Sequence, residues 1–195
     1  MDIKIKPTPR DYKAAGLSLR QLEHTWDNYI IKDTAHEMKI NAIKKAATER
    51  KWIFMQGNPG TGKDHIATCI AKDILNMGGS VRYVNTFRLL IEIQSNFLDA
   101  DDIITEYSNV DLLVLNEIEK TFDTSKGNEK NVLFEIIDCR YNNLKKGQTI
   151  FITNSTWEDI HKKFALNNGT NPITDRISEN GEVFIFDWES YRGSK

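Results

Sequence analysis

The chain has 195 residues, of which 39% are hydrophobic and 28% charged, with a formal net charge of −2. That length suits one domain able to bury a core without disulfides or metals, and the near balance of charge excludes a uniformly basic surface, so any nucleic-acid contact must be local. No apolar run approaches the ~18 residues needed to span a bilayer and the opening MDIKIKPTPR lacks a signal-peptide core, so a cytoplasmic location is expected. Cys69 and Cys139 occupy apolar-face positions of helix-like segments and read as buried thiols in a reducing compartment. His24, His36, His65 and His161 are too scattered to suggest a metal cluster.

Residues 1–25 carry Pro7, Pro9 and Gly16 among basic residues and read as an N-terminal basic arm or short helix, with residues 26–195 as the domain proper. From Thr34 to Arg50, Met38, Ala42, Ile43 and Ala46 recur at helical spacing beside a Lys-rich face. KWIFMQG then reads as a strand and DHIATCIAKDIL as a helix with Ile66, Cys69, Ile70 and Ile74 on one stripe. The alternation continues with a strand at VRYVN, helices at FRLLIEIQSNF and DDIITEY, and a strand at DLLVLNE. A helix across NVLFEIIDCRYNNL, a strand at TIFITNS, a helix at WEDIHKKF and a last strand at EVFIFDW complete it. Apolar strands alternating with helices predict an α/β fold with a parallel sheet covered on both faces.

Between the first strand and its helix lies Gly57-Asn58-Pro59-Gly60-Thr61-Gly62-Lys63-Asp64-His65. Its frame is that of a phosphate-binding loop: backbone N–H groups at a helix N-terminus face an anion, and Lys63 reaches the β and γ phosphates. Where such loops carry Ser or Thr for magnesium, this chain has Asp64. A nucleotide site also needs an apolar strand ending in an acidic pair. VDLLVLNEI ends in Asn116-Glu117, so the first acid is missing while Glu117 can still serve as general base. Asn154, at the tip of FITNS, is placed to bond the γ-phosphate or the lytic water, although an Asn there is also an ordinary turn residue. Arg176 follows the loop from Asn167 to Pro172, and Arg192 lies in DWESYR; either can stabilise phosphate charge or sit in a surface ion pair.

Together, TWDNYI, GNPGTGKDHIA, SNVDLLVLNEI, FITNST, TDRI and FDWESYR resemble the DnaC/DnaI helicase-loader branch of the AAA+ ATPases, the DnaC side in particular. The resemblance implies a P-loop NTPase sheet without a C-terminal lid, ATP/ADP and Mg2+ as cofactors, and a role in DNA replication. It also implies Trp26 to Tyr29 near the adenine, Glu117 at the catalytic water, Asn154 as first sensor, Arg176 as arginine finger and Arg192 as a terminal sensor. DnaC proteins commonly have Asn after the loop Lys and an Asp-Glu pair. Relative to that pattern Asp64 and Asn116 are a reciprocal exchange, and both are candidate magnesium-site residues. Barely 25 residues precede TWDNY, so a full helicase-docking module does not fit, and helicase contact is expected to be weak or through Lys4 to Arg20.

Two functions remain open. One is a slow ATPase of a phage or other mobile element that oligomerises through Arg176, binds single-stranded DNA and helps place a replicative helicase. The other is a catalytically degenerate binding module that caps or regulates a related loader. Phe87, Arg88, Lys120, Lys126 and Lys130 are candidate strand contacts, with a solvated loop the alternative for the lysines because Glu119, Asp123 and Glu129 are interleaved. A P-loop kinase is a third, weaker reading, since no acceptor-binding cluster is evident.

Overall fold

The computed structural model describes residues 7–120, 128–143, 147–166 and 169–193. Helices α1 (Pro9–Ala14), α2 (Leu19–Leu22) and α3 (Thr34–Thr48) precede β1 (Trp52–Gly57), and α4 (Lys63–Asn76) leads to β2 (Val81–Asn85). Next come α5 (Thr86–Ser95), a 3-10 turn (Phe97–Asp99), α6 (Ala100–Asn109) and β3 (Leu112–Asn116). Then α7 (Asn128–Asn142), β4 (Gln148–Thr153), α8 (Trp157–Phe164), α9 (Pro172–Asn180), β5 (Gly181–Phe186) and a 3-10 turn at Tyr191–Gly193 follow. All pairings are parallel, in the order β2-β3-β4-β1-β5.

The period of two along each strand divides the core into two layers. Ile53, Met55, Val114, Ile150 and Ile152 pack under α3 and α4, whereas Trp52, Phe54, Leu113, Leu115 and Phe151 pack against α5 to α9. The central strands are buried on both faces, which is why they read as continuous apolar runs.

Two local expectations are corrected. In α3 the buried face is His36, Ile40, Ile43 and Ala46, while Met38 is 69% exposed. Met38 lies about 200° around the helix from Ile40, so both cannot face the core. Cys69 is buried as expected, but Cys139 is exposed on α7. Arg176 follows its expected loop on a further helix, α9, which starts where the Asn171 side chain caps Ile173 and Thr174 and Pro172 takes the first turn.

The segment before Trp26 is not detached. Ala15 and Leu17 belong to the α3–α4 core, and Ala15 accepts a 2.7 Å bond from the Tyr83 N–H, which satisfies a donor on edge strand β2. Only α1 has no buried residue among the described helices of this segment.

On the opposite face Arg140, 1% exposed, ties elements together. Its guanidinium donates to the Tyr107, Ser108 and Val110 carbonyls at the end of α6, and to Gln148 O and Thr149 Oγ1 on β4.

Candidate nucleotide site

Register brings the site together. Asn85 lies opposite Asn116, Asn116 opposite Ile152, and Gln56 opposite Thr153, so the segments after β1, β2, β3 and β4 all emerge on one edge of the sheet. The chain leaves β1 for α4 on one face and β4 for α8 on the other, which opens a crevice at the carboxyl ends of the strands. A cleft of about 1290 Å³ lies there, lined among others by Gly60, Lys63, Asp64, Asn116, Glu117 and Asn154.

Gly60 and Gly62 have φ of +83° and +92°, a region that favours glycine. A Cβ on Gly60 would fall 2.1 Å from Ser190 Oγ, and one on Gly62 2.9 Å from the Tyr29 ring. No side chain caps α4, which leaves its first N–H groups available to an anion. Lys63 Nζ donates to Gly57 O (2.5 Å), Asn58 O (2.9 Å) and Asn154 Oδ1 (3.1 Å). Burial pushes its pKa down to about 8, against the opposing effect of the Glu119 carboxylate. Thr61 turns inward, its hydroxyl on Asn58 O.

Glu117 sits at φ +57°, an uncommon backbone for a non-glycine residue that redirects the chain at the end of β3. Its carboxylate accepts from Asn85 Nδ2 (2.5 Å) and Lys120 Nζ (2.7 Å). Lys120, a candidate strand contact, is paired with Glu117 and more than half exposed. Asn154 is held by Glu119, whose Oε1 accepts from its backbone N–H at 3.2 Å and its amide at 3.3 Å. Asp64 Oδ1 accepts from the Tyr83 hydroxyl (2.5 Å) and Gln21 Nε2 (3.1 Å), and Oδ2 lies 3.8 Å from His24 Nδ1.

The far wall is aromatic. His36 Nδ1 accepts from the Lys32 N–H at 3.1 Å, so the neutral ring carries its proton on Nε2 and donates to the Tyr29 hydroxyl oxygen, also at 3.1 Å. Tyr29 packs edge-on against His65 and Tyr191, and Tyr191 donates to Ile30 O at 2.7 Å. The Tyr191 N–H bonds Gly60 O at 2.9 Å, which brings Arg192 to the cleft beside Gly60.

One expected residue lies elsewhere. Trp26 does not line the cleft; its indole N–H needs an acceptor, found 2.7 Å away in Asp73, and Lys44 lies over its ring. Arg176, expected at a neighbouring subunit's nucleotide and not in this cleft, lies beside α7. It ion-pairs with Asp138 on α7, donates to Pro172 O at 3.0 Å and stacks near Phe134 and Tyr141. Arg88 is exposed on the cleft rim, whereas Lys126 lies outside the described residues. Asn85, Glu119, Tyr83 and Gln21 escaped sequence reasoning. Asn85 carried the same signal as Asn154, a polar residue closing an apolar strand, but Gln21 and Tyr83 meet Asp64 only through the fold.

The described residues contain no helix long and apolar enough to cross a membrane, and no group of three or more His, Cys, Asp or Glu side chains suited to a metal. Replicative helicase loader DnaC of Escherichia coli (strain K12) is 28% identical over 196 residues, spanning 94% of this chain and 75% of that protein. A crystal structure of the DnaC helicase loader superposes with a TM-score of 0.68 at 21% identity, over 86% of this chain and 99% of that one. DnaI superposes at 0.71 with 15% identity, over 87% and 94% respectively. These likenesses show the parallel P-loop NTPase sheet of the AAA+ type. With the description "IstB-like ATP binding protein" matching residues 17–195, the chain belongs to the IstB/DnaC family.

Proposed function

We propose that this chain is a DnaC-like ATP-binding factor of DNA replication that helps place a replicative helicase and turns ATP over slowly. The observation that carries the reading is Lys63: a buried ammonium bonded only to neutral oxygens, at the uncapped start of α4. A cation kept there at the expense of its hydration has an evident use if polyphosphate meets it. In this reading the loop amides and Lys63 hold the phosphates, and Tyr29, Tyr191 and Arg192 bound the nucleotide on the far side. Asn154 contacts the terminal phosphate or water, and Arg176 acts across a subunit boundary.

Magnesium fits the donor set, since among the described residues Asp64 Oδ2 accepts no hydrogen bond, its nearest charged neighbour being His24 Nδ1 at 3.8 Å, and the Asn116 amide supplies a second hard oxygen. The ion would neutralise phosphate charge during transfer. Slow turnover follows from Glu117, whose two oxygens are both engaged and must be released before it orients water. The same pinning, with Asn116 in place of an acid, favours the second reading of a degenerate module that binds nucleotide for structure.

Hydrolysis measured alone, with single-stranded DNA and with helicase separates the two. A low rate raised by DNA or helicase is expected. Nucleotide binding with no turnover under any condition supports the second reading, and brisk unstimulated turnover contradicts both.

A further inference from the structure

The segment before Trp26 reaches into the nucleotide site. Gly16 crosses β2 at φ +85°, where a Cβ would lie 2.2 Å from Tyr83 O, so the backbones meet directly. Lys72 of α4 then donates to Leu22 O (2.6 Å) and His24 O (2.7 Å), holding the end of the segment against the helix that begins at Lys63. Between these anchors lies Gln21, 9% exposed. Its amide oxygen accepts from Ser18 N and Ser18 Oγ, both at 2.9 Å, closing a capping box. That bond fixes the amide orientation, because the oxygen faces a backbone donor and Nε2 must face Asp64. Tyr83, 7% exposed, brings its hydroxyl to the same Asp64 oxygen from β2.

We infer that Gln21 and Tyr83 are positioning residues: they fix Asp64 Oδ1 so that Oδ2 is presented to the magnesium of a bound nucleotide, making residues 15–24 part of the site. This rests on the reading of Asp64 as a magnesium ligand. Donors that immobilise one oxygen of a ligating carboxylate commonly change metal affinity by 10- to 100-fold when removed. The segment thereby offers a mechanical route by which a protein gripping the N-terminal region changes nucleotide affinity, and reciprocally.

The capping box supplies a discriminating variant. Glu satisfies the box as well as Gln does, so Gln21→Glu keeps the cap while replacing the donor to Asp64 with a second carboxylate. Tyr83→Phe removes only the hydroxyl. A fluorescent ATP analogue is titrated with magnesium and with chelator, and the ratio of the two affinities is compared among wild type, Gln21→Glu, Tyr83→Phe and Asp64→Ala. The expected result is a ratio reduced roughly 10-fold or more in both positioning variants and close to one in Asp64→Ala. In the Asp64→Ala background, Tyr83→Phe then adds nothing.

Hydrogen exchange provides a second readout: magnesium with the analogue slows exchange across residues 15–25 in wild type and does so less in Gln21→Glu. A wild-type ratio retained by Asp64→Ala overturns the ligand reading itself. If Asp64→Ala loses the ratio but Gln21→Glu and Tyr83→Phe keep it, the positioning inference fails while the ligand reading survives. Should Gln21→Glu not fold, Tyr83→Phe decides alone.

Discussion

Lys63 gives the site a pH signature. An anionic ligand prefers the charged lysine, and in the free protein burial brings the Lys63 pKa down to about 8. Nucleotide affinity is therefore expected to be level below that value and to fall as pH rises through it, approaching tenfold per pH unit well above. Calorimetry from about pH 7 to 9.5 checks this, and affinity that stays flat throughout contradicts the depressed pKa. Histidines act on stability in the acid range. Burial holds His24 and His36 below the ordinary histidine value, so the unfolded chain takes up protons first. Stability is full above the unfolded pKa of ~6.5 and is lost as pH falls through it toward the lowered folded values, which thermal unfolding between about pH 5 and 7.5 will show. At Arg176, substitution by Ala should lower turnover by roughly 10²-fold or more in an oligomeric preparation if it serves a neighbouring site. The partly exposed pair with Asp138 predicts only ~1 kcal/mol lost from stability. Unchanged turnover and assembly would remove the finger assignment. The loop, Glu117 and Asn154 were legible because each belongs to a fixed local pattern. Gln21 and Tyr83 were not, since they lie 43 and 19 residues from Asp64 and only the packing of residues 15–24 on β2 joins them.

Elements are held as much by buried polar groups as by apolar stripes. Arg140 answers three carbonyls around the end of α6 and one on β4, so Arg140→Ala leaves buried acceptors without donors. A loss of about 3–5 kcal/mol in urea unfolding is expected, with a smaller loss for Arg140→Lys. A change below ~1 kcal/mol would mean that the carbonyls find other donors. Sequence alone could not find this residue: an Arg at a helical position reads as surface until α6 and β4 close around it. The helix α9 was legible in principle, because Asn171-Pro172 followed by Ile173 and Ile177 is a start signal with apolar spacing. The α3 stripe was misread because Met38, Ala42 and Ile43 suggested one phase whereas His36, Ile40 and Ile43 set the real one.

At the scale of the molecule, sheet order follows from which strands are apolar throughout. β3, β4 and β1 are buried on both faces and take the centre, while β5 exposes Val183 and Ile185 and takes an edge. β2 takes the other edge, where the Tyr83 N–H is met by Ala15. This order sets the β1 loop, the end of β3 and the end of β4 around one crevice, in a chain whose family is described as IstB-like ATP binding protein. The proposal that this chain uses it depends first on Lys63 meeting phosphate. Calorimetry of ATP with magnesium on the wild-type chain and on Lys63→Ala tests this most directly. Binding by the wild type and at least ~100-fold weaker binding by the folded variant is the predicted result, the loss of a buried charged contact. Equal binding by the two proteins would contradict it.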